Sequence, residues 1–257
     1  MKMADDRNEK AANFHPEFLR PAEHACDPDP RNLCLVKMDP EAGDFVPLSI
    51  HDHHKAVSQL KLNAKVPEDV VFQFETAKNL YLYAWFIYRF YPVAAQQSLA
   101  CLELALRKRY ENELPKEYLG RAGKPTLKPL LRYAVDRGYI KNEGFQRWHE
   151  AAQRRATARY RMEKIDEMYE KGLKSIDLDY LEVAVTDADR NFGYLNVLLE
   201  NLPELRNHYA HGTPMLDNQV LGTIELVSEI TSVRTLIEQI QLISRKGLHV
   251  IGDDVVK

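Results

Sequence analysis

Cysteine is scarce in this chain of 257 residues, and the three present, Cys26, Cys34 and Cys101, form no C-x-x-C pair. An odd number at these spacings excludes a disulfide framework and points to a reducing compartment. There is no glycine-rich phosphate loop: Gly120-Arg121-Ala122-Gly123-Lys124-Pro125-Thr126 lacks the P-loop spacing, and Pro125 breaks its expected end. Long hydrophobic runs are missing too. The most apolar window, Leu80 to Ala95, is shorter than a membrane span and carries Arg89, so no membrane is expected as a partner. The N-terminus, Met1 to Arg7, is polar with no apolar core behind it, which argues against a secretory signal and for a cytoplasmic setting. Nor is there a large excess of either charge, since the formal net charge is -3.

What is present is ordinary globular material, 45% hydrophobic and 28% charged, enough for a sizeable core. Charge is unevenly distributed. Between Arg121 and Lys164 stand twelve Lys or Arg residues against Asp136, Glu143, Glu150 and Glu163. Such a local excess can be the footprint of a polyanion, and it can equally be a solvated helix face.

Residues 1–66 differ in texture from the rest, because Pro16, Pro21, Pro28, Pro30, Pro40 and Pro47 interrupt every run before it becomes a long helix. Leu33–Lys37 and Phe45–Ile50, separated by Pro40-Glu41-Ala42-Gly43, can pair as a small hairpin. This region reads as an N-terminal extension. Residues 67–257 read as a helical domain.

The apolar residues Val70, Phe74, Ala77, Tyr81, Ala84, Tyr88 and Tyr91 recur at helical spacing and predict one helix that stops at Pro92. The next helix carries Ala95, Leu99, Leu102 and Leu106 and ends near Tyr110. A third, capped by Thr126 and closed by Gly138, buries Leu127, Leu130, Leu131 and Ala134. A long charged helix follows over 143–171, with Ala158, Met162, Ile165 and Tyr169 as its expected apolar stripe and Gly172 after it. A segment over 188–201 leads through Pro203 into a further helix, and a last one over 219–244 is expected to bury Leu226, Ile230, Val233, Ile237 and Ile240. The fold class is therefore all-α, an up-and-down helical bundle with a small irregular or β-hairpin N-terminal extension.

Near the end of the penultimate helix stands Leu205-Arg206-Asn207-His208-Tyr209-Ala210-His211-Gly212. Asn207 and His211 are four apart and share a helix face, whereas Arg206 lies about 140° around from His211. Two accounts of these residues stand. Arg, His and Gly suit a helix C-terminus, where cations meet the negative end of the dipole and Gly takes the left-handed cap. A cation, an amide and an imidazole also make a kit for phosphodiester cleavage, which needs proton transfer to and from oxygen and a positive charge on the phosphorane.

The pattern Arg-Asn, three residues, then His resembles the signature of the HEPN superfamily, helical bundles of which many members are metal-independent ribonucleases. The helix Gln96–Arg107 looks like the family helix that packs against the signature, and the order of the later helices is also similar. The resemblance spans roughly 67–257, and it implies roles residue by residue. His211 would be general acid or base, Arg206 the phosphate and transition-state clamp, and Asn207 the group that orients His211 or the phosphate. Glu103 matches a polar residue that some members place near the site. The expected activity is a metal-independent endoribonuclease using 2′-hydroxyl attack, acting as a homodimer with a composite cleft, in toxin-like or antiviral RNA degradation. The alternative is a non-catalytic module of the same type that binds RNA, a nucleotide or a regulatory protein. The HEPN toxins that are silenced by nucleotide transfer carry Tyr two residues beyond the His; here that place is Thr213.

Arg154, Arg155, Arg159 and Arg161 are the expected RNA-binding residues, since a basic helix face can grip phosphates. The cluster His51, His53 and His54, even with His24, Cys26 and Cys34, has no recognised ligand spacing, so no metal and no cofactor are expected.

Overall fold

A computed structural model describes residues 15–110, 112–119, 123–212 and 220–232. In chain order they form a hairpin of β1 (Val36–Asp39) and β2 (Asp44–Pro47), then α1 (Ile50–Ser58), α2 (Glu68–Tyr83), α3 (Phe90–Tyr110), α4 (Leu127–Asp136), α5 (Gln146–Glu170), the single turn α6 (Asp187–Arg190), α7 (Tyr194–Ala210) and α8 (Leu221–Ser232). The described chain is thus mostly helical, with one two-stranded hairpin in the N-terminal region. None of its described helices is long and apolar enough to cross a membrane.

Helix α3 is the hub, and its sequence explains why. Small and apolar residues occur on every side of it, so Ala94, Ala95, Leu99, Cys101, Leu102 and Leu106 are all fully buried, and α2, α4, α7 and α8 pack around it. Each buried leucine is worth roughly 1.5–3 kcal/mol. Pro92 falls in its first turn, where the missing N–H costs nothing. Helix α4 also follows its sequence: Leu127, Leu130, Leu131 and Ala134 are buried, and Gly138 closes it with φ +68°. In α8, Leu226 and Ile230 are buried, while Val233, Ile237 and Ile240 lie outside the described residues.

Helix α2 is shorter than its periodicity predicts, stopping at Tyr83 rather than running on to Tyr91. The cause is tertiary. The N-terminal region supplies hydrogen bonds that replace the helical ladder: the Asn32 amide donates to the Ala84 and Trp85 carbonyls at 2.8 and 3.0 Å, Asp29 N–H donates to the Trp85 carbonyl at 2.9 Å, and Tyr88 N–H donates to the Asp29 carboxylate at 3.2 Å. Asp29 and Asn32 are fully buried there. Arg31 forks onto the Asp29 carboxylate and lowers its pKa against the opposing effect of burial.

The hairpin pairs Val36 with Pro47 through Asp39 with Asp44, and Gly43 closes its turn at φ +65°. Ser49 and Asp52 form a capping box at the start of α1, and hydrogen bonds from Lys37 and Ser49 hold the Asp52 carboxyl at about 2. One turn on, His53 enters a cage of Tyr81, Trp85 and Tyr91, with its Nε2 2.6 Å from the Tyr91 hydroxyl, which itself donates to Asn32 Oδ1 at 3.2 Å.

Two further expectations are corrected. The stripe Ala158, Met162, Ile165 and Tyr169 is not buried: Met162 is 58% and Tyr169 76% exposed. The buried residues of α5 are Trp148, Ala152 and Ala156, because only its first half lies on the bundle. The 3.6-residue period is real, but it continues after the neighbouring elements end. Secondly, 188–201 is not one segment. The chain breaks over 191–193, and α7 then runs unbroken through Pro203, whose ring is buried and whose missing N–H leaves the Leu199 carbonyl without its helical donor.

Two outcomes follow for stability. Replacing Met162 and Tyr169 with Ser should change the urea unfolding free energy by under about 0.5 kcal/mol, as at other surface positions, whereas Leu102→Ala should cost about 2–5 kcal/mol. Comparable losses would show that the outer half of α5 is covered. Burial depresses the pKa of His53, outweighing the raising effects of Ser49 and Asp52, so protons prefer the unfolded chain. Stability should be unaffected by this group above the ordinary value of about 6.5 and should fall as pH drops from there towards the depressed folded value. Urea midpoints taken from pH 7.5 to 5 should show that decline in the wild type and a shallower one in His53→Gln.

Candidate functional site at the end of helix α7

The last turn of α7 is fixed from two sides. Leu202, Pro203 and Tyr209 are buried and seat the helix against the bundle, where it packs on both α3 and α4. The chain then leaves through His211, which caps the helix with its N–H donating to the Asn207 carbonyl at 3.0 Å, and Gly212 takes φ +80°. Arg206 is half-buried; Asn207 and His211 are exposed.

Arg206 does not dangle. Its Nε lies 3.3 Å from Glu103 Oε2, and Arg107 donates to the other oxygen, Oε1, at 2.5 Å. Glu103 is only 7% exposed, on the α3 face turned to α7. Its Oε2 has no aligned hydrogen bond, so the Arg206 charge is its compensation. Arg107 also reaches the Pro125 carbonyl at 3.5 Å, tying the same cluster to the approach of α4. One carboxylate between two guanidinium groups leaves one net positive charge beside the signature.

Arg206 Nη1 also donates to Asn207 Oδ1 at 3.5 Å, and the two side chains open onto one cavity of about 240 Å³, completed by Thr126, Leu127, Lys128 and Pro203. His211 does not line it. Gly212 faces a separate cavity of about 200 Å³ with Arg89, Gln96 and Tyr209. The structure therefore brings Arg206, Asn207 and Glu103 together and leaves His211 at the exposed tip of the same helix. Glu103 and Arg107 show their i, i+4 ion-pair spacing in the sequence, but no spacing ties either of them to Arg206, a contact made between α3 and α7. Thr213 lies outside the described residues.

The four α5 arginines lie elsewhere and are largely occupied. Arg159 pairs with Asp189 at 3.0 Å and Glu163 at 3.1 Å and donates to the Ala184 carbonyl; Asp189 is in turn the capping-box acid of α6, held well below the usual carboxylate range by Arg159 and Thr186. Arg155 lies over the Phe192 ring and Arg161 over Tyr180, whose hydroxyl it bonds at 2.9 Å. Arg154 is the most open, 3.9 Å from Glu150. Phe192 precedes α7, so this cluster is a helix length, roughly 24 Å along α7, from the signature.

Among the described residues no three His, Cys, Asp or Glu side chains are grouped to hold a metal ion. His53 is caged by aromatics, and His24 Nδ1 contacts Asp27 at 2.8 Å. Burial pushes the Cys101 thiol up to about 12, so it stays protonated and unreactive.

No family model, no curated protein and no solved structure matches this chain. The functional reading consequently rests on the signature and its geometry. A double-mutant cycle tests the geometry directly: Glu103→Gln alone should cost about 1–2 kcal/mol, and combining it with Arg206→Gln should cost less than the sum by about 0.5–1 kcal/mol. Strict additivity would mean that the 3.3 Å approach carries no energy.

Proposed function

We propose that the chain is a HEPN-type, metal-independent endoribonuclease whose chemistry is centred on Arg206, Asn207 and His211. The observation that carries the proposal is the Arg206 guanidinium, oriented by the buried Glu103 carboxylate and opening with Asn207 onto a common cavity. A guanidinium held this way can meet two phosphate oxygens at once and oppose the charge that grows on the phosphorane. The resemblance of the signature supplies the substrate class.

In this reaction the 2′-hydroxyl oxygen attacks the adjacent phosphorus as a base removes its proton. The phosphorus–O5′ bond breaks as an acid protonates the leaving oxygen. The products are a 2′,3′-cyclic phosphate and a 5′-hydroxyl. One imidazole cannot easily serve both sides of a phosphate, and His211 stands exposed at the helix tip, where a second copy of the chain can add its own. A homodimer with a composite cleft follows from that requirement. The setting in keeping with such chemistry is toxin-like or antiviral RNA degradation.

The second reading is a non-catalytic helical module that binds RNA, a nucleotide or a regulatory protein. It is favoured by one observation, that His211 lies outside the cavity of Arg206 and Asn207.

His211→Ala separates the two. The residue is exposed, so helicity and unfolding midpoint should stay unchanged while the cleavage rate falls at least about 100-fold. Arg206→Ala should be equally inactive, and Arg206→Lys should not restore full rate, because a point charge cannot reproduce the planar fork. Cleavage should persist in excess chelator. Equal activity in wild type and His211→Ala, or rescue of a chelated sample by a divalent ion, would reject the proposal.

A further inference from the structure

The outer half of α5 carries an apolar stripe that the described residues leave open to solvent. Ala158, Met162, Ile165 and Tyr169 are all exposed, and they lie about 110° around the helix from Trp148, Ala152 and Ala156, which face the bundle. Their spacing of four, three and four is the alternation of a helix-on-helix seam. The chain returning from α5 does not cross the stripe, since its Asp179 N–H donates at 3.2 Å to the hydroxyl of Tyr160, which points nearly the opposite way. Charges sort along one flank of the stripe, with Arg155 and Arg159 in its first half and Asp166 and Glu170 in its second. Glu163 and Glu167 are satisfied within α5 by Arg159, Lys164 and Lys171. Arg155 lies over the Phe192 ring and donates to the Asn191 carbonyl, so among the described residues no carboxylate neutralises it, and Glu170 makes no salt bridge among them either.

We infer that this stripe docks a second copy of the chain, the two α5 helices lying antiparallel over their outer halves. A register centred between Met162 and Ile165 sets Met162 against Ile165 of the second copy and the small Ala158 against its large Tyr169, so that each layer is filled without overpacking. The same register brings Arg155 opposite Glu170 of the second copy and Arg159 beside its Asp166, and the two-fold axis repeats both pairs. A parallel pair would instead face Tyr169 with Tyr169 and Glu170 with Glu170. The antiparallel overlap covers roughly residues 156–171 by the helical rise, so the two bundles stay at opposite ends. Four layers make a small seam beside the roughly 800 Å² per partner of a standard interface, and dilute samples therefore keep the stripe bare. The outer half of α5 extends past the start of α7, away from His211, so the seam is distinct from the composite cleft and independent of the ribonuclease reading.

Sedimentation velocity of the full chain from about 1 to about 200 μM tests the seam. The wild type should double its mass with rising concentration. Met162→Glu/Ile165→Glu, which puts carboxylates in both facing layers, should move that step at least about 30-fold higher or abolish it. With two copies also joined at the composite cleft, the wild type reaches four chains and this variant stops at two. Arg155→Glu and Glu170→Arg, each checked for folding by circular dichroism, should each weaken self-association about fivefold. An equal mixture of the two should recover it, because every charge pair in the mixed dimer is again opposite. Residues 155 and 170 stand about 22 Å apart along α5, so that recovery can arise only between chains. A wild type that stays one species over the whole range, an unmoved step in the glutamate variant, or a mixture no tighter than its components would overturn the inference. So would a lower melting point of the glutamate variant in dilute solution, since the stripe would then be covered within its own chain. A mass step that behaves as expected in a protein that does not cleave RNA would reject the ribonuclease reading alone.

Discussion

Everything at the candidate site depends on α3 being packed by α2, α4, α7 and α8. Most of its length is buried, yet α3 carries Glu103 and Arg109 inside, at 7% and 2% exposure. Each is compensated locally. Arg109 donates to Glu113 at 2.9 Å and lies over the Tyr110 ring, while Glu103 is held between Arg107 and Arg206. A buried carboxylate left unpaired would cost several kcal/mol. Seating Arg206 is thus a requirement of the core as well as of the surface. Helix α7 docks with Arg206 against Glu103 of α3, and that docking sets where the guanidinium points.

The same constraint divides the signature. Arg206 and Asn207 face inward and sideways, toward α4, and share a cavity with Lys128. His211, at the cap, is carried outward by the end of the helix. In the ribonuclease we propose, charge stabilisation would be supplied by packed elements and proton transfer by an exposed group, whose partner in chemistry would come from substrate or from another copy of the chain.

Much of this was legible in the sequence where local rules dominate. Gly138 and Gly172 end their helices, Pro92 falls in the first turn of α3, and Pro40–Gly43 turns the hairpin. The failures come from tertiary hydrogen bonds and from missing neighbours. The end of α2 is set by Asp29 and Asn32, some fifty residues away, which no periodicity can foresee. The outer stripe of α5 has a helical period without a partner, and period alone does not distinguish core from surface. Among the candidate site residues, spacing put Asn207 with His211 and set Arg206 apart, whereas Arg206 and Asn207 line one cavity and His211 does not. The pairing of Arg159 with Asp189 and Glu163 could not be foreseen in full, because a sequence does not say which cations are already neutralised by distant residues.

The most direct measurement is the chemistry of the cut ends, made on one oligoribonucleotide and on a matched strand with a single 2′-deoxy residue at the cleaved step. The account predicts a 2′,3′-cyclic phosphate and a 5′-hydroxyl from the first strand and no cleavage of the second at that step. A 5′-phosphate on the product, or equal cutting of the deoxy-substituted strand, would contradict it.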